Sequence, residues 1–154
     1  MTKYNDIIIC TTDTVLGIGG KITDEVLSQI YELKKRPLEK KIMILVGSIA
    51  QAETFPQWTK AATQKAQEVW PGANSIIINN QGFRMPNQPQ LIEYLLKNGP
   101  IYMTSCNLSG QQPLSLKEAH EVFPEVKHFY DFGPMSGKPS TIYNLDTNEV
   151  IERN

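Results

Sequence analysis

Short apolar runs recur along the chain and predict the strands of a sheet. Four of these runs do not alternate between apolar and polar positions, and they lie at 7–9, 42–46, 75–79 and 100–103. Uninterrupted runs of this length are typical of strands buried on both faces. Later strands are predicted at 126–132, 140–145 and 149–153, whereas residues 11–20 are predicted to form a loop.

Helical periodicity fills the segments between these strands. Apolar residues recur every three or four positions, and most of the segments open on a residue that can cap a helix. The predicted helices begin after Thr23, after Thr59, near Asn87 and Pro89, and after Ser115; Pro37 ends the first and Pro71 the second. Because strands alternate with helices, the pattern predicts a single α/β domain over residues 1–154, built on a twisted open sheet flanked by helices.

Composition narrows the classes of protein to consider. The chain has 15 basic and 16 acidic residues, so an RNA contact would need a local basic patch rather than bulk charge. Cys10 and Cys106 lack the paired spacing of metal ligands, and we expect no structural metal and two buried, reduced thiols in a cytoplasmic protein. No apolar stretch approaches the roughly 18 residues of a membrane span, so we expect no membrane partner.

Two predicted loops after strands are rich in short polar side chains. The first carries Thr11, Thr12 and Thr14, and the second carries Thr104, Ser105, Asn107 and Ser109. Ligands of open α/β sheets usually bind beyond the carboxyl ends of strands, and neutral hydroxyls and amides suit a zwitterion or a ribose phosphate. The alternative is that each loop is a turn that satisfies its own backbone.

Charged candidates lie elsewhere in the chain. Residues 34–41 contain five positive charges, at Lys34, Lys35, Arg36, Lys40 and Lys41. They could complement the C-terminal end of a helix dipole, or they could clamp a polyphosphate. Arg84 is either a further cation of the site or a surface arginine, and Asp13 either forms a turn or holds a metal with the substrate phosphates.

Familiar catalytic and phosphate-binding motifs are missing from the sequence. There is no G-x-x-x-x-G-K-[ST], no G-x-S-x-G, and no histidine close in sequence to either cysteine. If the protein is an enzyme, we expect it to hold charged reactants together rather than to form a covalent intermediate.

Six stretches occur in the order and rough spacing of a known family. They are TTDTVLGIGG, LKKRPLEKKIMIL, WPGANSIII, FRMPNQP, TSCNLSG and GKPSTIYNL. Together they resemble the YrdC-like family, the threonylcarbamoyl-AMP synthases, from about residue 7 to the C-terminus. The most specific matches are the Lys-x-Arg-Pro pattern at 34–37 and the Ser-x-Asn-x-Ser-Gly pattern at 105–110.

The resemblance implies a mixed, twisted sheet with a deep ligand cleft. Members of the family make threonylcarbamoyl-adenylate and pyrophosphate from L-threonine, bicarbonate and ATP with Mg²⁺, and partner proteins use the product to modify tRNA. By similarity, Lys34 and Arg36 would be the catalytic, phosphate-holding cations. The other implied ATP contacts are Lys40, Arg84, Ser105, Asn107, Ser140 and Thr141, and the implied threonine contacts are Thr12, Thr14 and Ser105. The resemblance does not identify metal ligands.

The sequence departs from the family pattern at several positions. Leu16 stands where the family has an aromatic residue, and Cys106 stands where it has alanine. We therefore expect a minimal single-domain synthase, with a YrdC-like RNA- or nucleotide-binding protein without synthase activity as the alternative. Weak binding of tRNA or double-stranded RNA fits either of these. A carbamoyl-adenylate enzyme on the same fold would need a further domain.

Overall fold

A computed structural model describes residues 3–35, 42–107 and 111–152. The strands are β1 Ile7–Cys10, β2 Gly17–Lys21, β3 Met43–Leu45, β4 Asn74–Ile78, β5 Gln81–Arg84, β6 Ile101–Ser105, β7 His128–Tyr130, β8 Thr141–Asn144 and β9 Glu149–Ile151. The helices are α1 Asp24–Lys34, α2 Ile49–Ala52, α3 Lys60–Val69, α4 Pro89–Asn98 and α5 Leu116–Val122.

The strands of the described residues form one mixed sheet in the order β7-β1-β2-β6-β3-β5-β4-β8-β9. The pairs β1/β7, β3/β5 and β4/β8 are parallel, and the other neighbours are antiparallel. The predicted α/β class is therefore confirmed. Because β3 runs antiparallel to β6, the loop after Val46 and the loop after β6 leave the sheet at opposite ends of the strands.

Strand β2 corrects the prediction of a loop over 11–20. Its glycines allow the close approach of β6, because a Cβ on Gly19 would lie 1.8 Å from Tyr102 O and a Cβ on Gly17 would lie 2.2 Å from Met103 Sδ. Side chains at these two positions would therefore push the neighbouring strand away. The sequence pattern also did not predict β5 or the short helix α2.

Three of the predicted helix starts are confirmed by side-chain caps. Thr23 Oγ1 accepts from Val26 N at 3.1 Å, Thr59 Oγ1 accepts from Ala62 N at 3.2 Å, and Ser115 forms a capping box with Glu118. Helix α1 ends at Lys34, and Lys35 then adopts a left-handed conformation with φ 54°. The cap thus ends the helix before the predicted stop at Pro37.

The core lies on both faces of the sheet. On one face, α1 and α5 pack against Ile7, Ile9 and Ile18. On the same face, α3 packs against buried side chains of β4 and β5. On the other face, α4 packs Leu91 and Leu95 against β3 and β6. Helix α4 covers only part of that second face, and the remainder forms the floor of a cleft.

Candidate active site

A cleft with a volume of about 560 Å³ opens on the face of the sheet that α4 leaves uncovered. This volume lies within the usual range for small-ligand sites. Its floor consists of inward-facing side chains of neighbouring strands, such as Met43, Leu45, Ile77 and Met103. Hydroxyl and amide groups surround this apolar floor, and among the described residues no aspartate or glutamate lines the cleft. The cleft therefore suits a ligand with an apolar part and an anionic part.

The loop between β1 and β2 divides its threonines between the backbone and the cleft. Thr11 Oγ1 accepts hydrogen bonds from Phe132 N at 2.6 Å and Gly133 N at 3.3 Å, so it fixes the segment that follows β7. Thr12 and Thr14 line the cleft, and their hydroxyl oxygens lie 3.2 Å apart. Thr12 Oγ1 also accepts from Thr14 N at 3.0 Å, so one loop forms both a turn and a polar wall.

Arg84 lies in the cleft wall and is only 6% exposed. Its Nη1 donates to Asp13 Oδ1 at 2.7 Å and to Gly72 O at 3.0 Å, and its Nη2 donates to Thr14 Oγ1 at 3.2 Å. Asp13 Oδ2 accepts from Asn87 N at 2.9 Å. Arg84 is therefore a buried, ion-paired group that orients the Thr14 hydroxyl, and the surface alternative for this arginine is wrong. Both oxygens of the Asp13 carboxylate therefore accept hydrogen bonds from the protein itself, one from Arg84 and one from Asn87 N.

The second polar loop is held from behind by Lys34. This lysine is 2% exposed, and its Nζ donates to Ser105 O and, at 2.9 Å, to Asn107 Oδ1. Ser105 Oγ donates to the same Asn107 oxygen at 3.0 Å, and Asn107 Nδ2 donates to Gln111 O. Ser105 lines the cleft together with Thr104. A cation in the last turn of α1 thus fixes the loop that ends β6.

Ser140 joins the cleft from the opposite end of the sheet. Its Oγ lies 2.7 Å from Ser75 Oγ, and both hydroxyls are buried in the cleft wall. Ser140 and Ile142 line the cleft, whereas Thr141 lies between them at the start of β8 and donates its backbone N–H to Ala73 O at 2.9 Å. A ligand contact of the Thr141 side chain stays a prediction.

The structure brings Thr12, Thr14, Arg84, Ser105 and Ser140 together around one cleft, and the contact of each with a ligand stays a prediction. Arg36, Lys40, Ser109 and Gly110 lie outside the described residues. Sequence reasoning missed Ser75 and Lys138, which also line the cleft. Both lie within stretches that resemble the family, Ser75 in WPGANSIII and Lys138 in GKPSTIYNL, but the resemblance assigned a role to neither of them.

Leu16 also lines the cleft, and its side chain is fully buried. Its backbone carbonyl accepts from Cys106 N at 2.7 Å, which links the two polar loops. The Leu16 side chain packs in the core cluster that includes Ile9 and Ile18. The departure from the family's aromatic residue therefore lies in the core behind this part of the cleft.

Neither cysteine is suited to nucleophilic catalysis. Both thiols are free and buried, and desolvation raises the pKa of Cys10 and of Cys106 to about 12. A thiol with such a pKa remains protonated at neutral pH, and the thiolate is the reactive form. Among the described residues there is no cluster of three or more histidine, cysteine, aspartate or glutamate side chains arranged to hold a metal ion.

Comparison with known protein families identifies the family to which the chain belongs. The family model Sua5_yciO_yrdC, described as "Telomere recombination", matches residues 1–153. The chain belongs to this family. Sua5/YciO/YrdC relatives include the MG259 homolog of Mycoplasma pneumoniae, named as an uncharacterized protein, which is 34% identical over 93% of the chain and 31% of its own length.

Other members of the Sua5/YciO/YrdC family carry names that state an activity. The threonylcarbamoyl-AMP synthase of Bacillus subtilis is 30% identical over 92% of the chain and 47% of its own length. The putative threonylcarbamoyl-AMP synthase of Methanocaldococcus jannaschii is 28% identical over 94% of the chain and 77% of its own length. The chain thus spans about a third of the Mycoplasma relative (31%) and about half of the Bacillus one (47%).

Solved structures of the Sua5/YciO/YrdC family confirm the fold. P. abyssi Sua5 complexed with L-threonine superposes with a TM-score of 0.82, at 24% identity over 94% of this chain and 48% of that one, and a structure of a variant of the same protein superposes with a TM-score of 0.81. E. coli YciO has a TM-score of 0.81 at 19% identity and covers 99% of this chain and 84% of its own. Among the described residues, no helix is both long enough and apolar enough to cross a membrane.

Proposed function

We propose that this chain is an L-threonylcarbamoyladenylate synthase, a nucleotidyltransferase that makes threonylcarbamoyl-AMP and pyrophosphate from L-threonine, bicarbonate and ATP. One observation carries the proposal: segments far apart in sequence place Thr12, Thr14, Ser105 and Ser140 around a single cleft without acidic lining in the described residues. The names of the relatives at about 30% identity support the same activity.

The chemistry of the proposed reaction fits this wall. The threonine amine and bicarbonate form a carbamate with loss of water, and a carbamate oxygen then displaces pyrophosphate from the α-phosphate of ATP. Negative charge accumulates on phosphate oxygens, so the site must offer cations and neutral donors rather than a nucleophile. Magnesium belongs to the proposal as part of the ATP substrate complex. The buried, protonated thiols agree with a reaction that needs no protein nucleophile.

Each wall of the cleft has a role in this proposal. Thr12 and Thr14 would hold threonine, with the Thr14 hydroxyl oriented by Arg84, and Ser105 would lie between threonine and the nucleotide phosphate. Ser140 would contact the nucleotide from the β8 side. Lys34 supports the Ser105 loop through its hydrogen bonds and stays a predicted catalytic cation together with Arg36.

The proposal extends to the biological setting. Threonylcarbamoyl-AMP is a reactive mixed anhydride, and in this proposal a partner protein transfers its threonylcarbamoyl group to tRNA. A cytoplasmic location fits the two free thiols, which remain reduced in that compartment.

Release of pyrophosphate by the purified protein tests the proposal. We expect release from ATP that depends on both L-threonine and bicarbonate. Release that does not depend on threonine would refute the assignment. A salt-dependent shift with tRNA, unaffected by ATP and threonine, would instead identify an RNA-binding protein without synthase activity.

Replacement of Lys34 tests the cationic part of the site. We expect Lys34→Met to lower kcat/KM by about 30- to 1000-fold, as for the loss of one preorganised charge contact. Lys34→Arg keeps the positive charge but changes the shape of the side chain, so its kcat/KM shows which of the two properties the activity requires. Thermal melting shows whether each variant folds. Lys117→Met, on the exposed surface of α5, is the matched control and should be fully active.

A further inference from the structure

Among the described residues, two cations, Arg84 and Lys138, line the cleft, and their environments differ. Arg84 is buried and its charge is balanced by Asp13, whose Oδ1 lies 2.7 Å away. Lys138 is exposed at the rim, and within the described residues no carboxylate forms an ion pair with it. Among the described residues of the wall, Lys138 is therefore the source of uncompensated positive charge.

The backbone that carries Lys138 is fixed to the opposite loop. Gly137 N donates to Thr14 O at 2.8 Å, and Ser136 N donates to Asp13 O at 3.0 Å. Lys138 N donates to Ser136 Oγ at 3.2 Å, which closes a local turn. Gly137 has φ 80°, a left-handed conformation that glycine adopts without strain. The Cα of Lys138 is thus held beside the threonine loop, while its long side chain can extend over the cleft.

We propose that Lys138 binds a phosphate group of the ligand in this cleft. Its ammonium group is a mobile point charge on a fixed backbone, which can follow a phosphate group that changes position during a reaction. The hydroxyls of Thr14 and Ser140, which lie on either side of Lys138 in the wall, supply neutral donors to the same region. The identity of the ligand, ATP or the pyrophosphate released from it, rests on the proposed function. The family resemblance gives roles in this segment only to Ser140 and Thr141.

Calorimetric titration of the full chain tests the proposal without requiring turnover. The ligands are inorganic pyrophosphate, ATP with Mg²⁺, AMP and L-threonine, each at low and high salt. The variants are Lys138→Gln, Lys138→Arg and the surface control Lys117→Gln. Lys117 is exposed on α5 and does not line the cleft.

We expect Lys138→Gln to weaken pyrophosphate or ATP binding on the order of 3- to 10-fold at low salt, with a smaller loss at high salt, as for a single partly solvated charge contact. Lys138→Arg should retain most of the affinity, and threonine binding should be unchanged in every variant. A loss with ATP and AMP but not with pyrophosphate would place the contact at the α-phosphate. A loss with pyrophosphate and ATP but not with AMP would place it at the outer phosphates.

Three results with the variants would overturn the proposal. They are unchanged phosphate binding in Lys138→Gln, an equal loss in Lys117→Gln, and a loss confined to threonine. Absence of pyrophosphate and ATP binding in the unmodified protein would overturn it as well. If binding depends on Lys138 but threonine-dependent pyrophosphate release is absent, the proposed function fails and the phosphate contact stands.

Discussion

Removal of the Asp13 carboxylate should destabilise the protein by leaving the Arg84 charge buried and unbalanced. The two side chains are 13% and 7% exposed, and their closest N–O distance is 2.7 Å. Loss of one partner from a buried ion pair costs about 3–5 kcal/mol. Because Arg84 keeps its hydrogen bonds to Gly72 O and Thr14 Oγ1, we expect the lower end of that range, about 3 kcal/mol, for Asp13→Ala.

Urea unfolding of a double-mutant cycle measures this effect. The variants are Asp13→Ala, Arg84→Met and the two combined. Since the second replacement removes the charge that the first leaves unpaired, the double variant should lose at least about 1 kcal/mol less than the sum of the single losses. Glu68→Ala is the control, because the Glu68 side chain is 66% exposed and its pair with Lys65 should contribute at most about 0.5 kcal/mol. Additive losses, or a loss in Asp13→Ala as small as that in Glu68→Ala, would refute the reasoning.

Two further predictions concern groups outside the cleft wall. Asp146→Ala should lower the free energy of unfolding by about 1–3 kcal/mol, because its carboxylate accepts from Asn79 N and Asn80 N, each at 2.8 Å, at the tip of the β4–β5 hairpin; a neutral result in urea unfolding would contradict this. Burial raises the pKa of Cys10 and Cys106 from 9.0 to about 12, so the unfolded thiols ionise first and stability should fall as pH rises from 9 to 12. In the variant that combines Cys10→Ala and Cys106→Ala, the free energy of unfolding should fall less steeply between pH 8 and 11 than in the unmodified protein. An equally steep fall in both proteins would count against the buried, protonated thiols.

Local signals account for the part of the fold that the sequence predicts. Thr23, Thr59 and Ser115 were predictable as caps because a cap depends on residues three positions away. Strand β2 was not predictable in the same way, since glycines in a short segment favour a loop when no partner strand is known. The reason for Gly19 lies in Tyr102, whose carbonyl would clash with any larger residue.

The candidate site was likewise predictable only where it depends on local sequence. Threonines and serines after strands predicted the polar wall, because loop composition is visible in the sequence. The pairing of Arg84 with Asp13 was not predictable, because the two residues are 71 positions apart and the stretches that contain them do not indicate which side chains meet in the fold. Lys138 was also missed, since its importance depends on the backbone hydrogen bonds that place it at the rim.

The sheet interleaves early and late parts of the chain. Strand β1 lies between β2 and β7, and β4 lies between β5 and β8. During synthesis, a nascent chain that has emerged only through α4 lacks β6, β7 and β8, so two walls of the cleft do not yet exist. Contacts of this kind form late in folding, because distant segments must first be brought together. Ligand affinity is therefore acquired only after β8 has joined the sheet, and a bound ligand would stabilise only those molecules in which β6, β7 and β8 are in place.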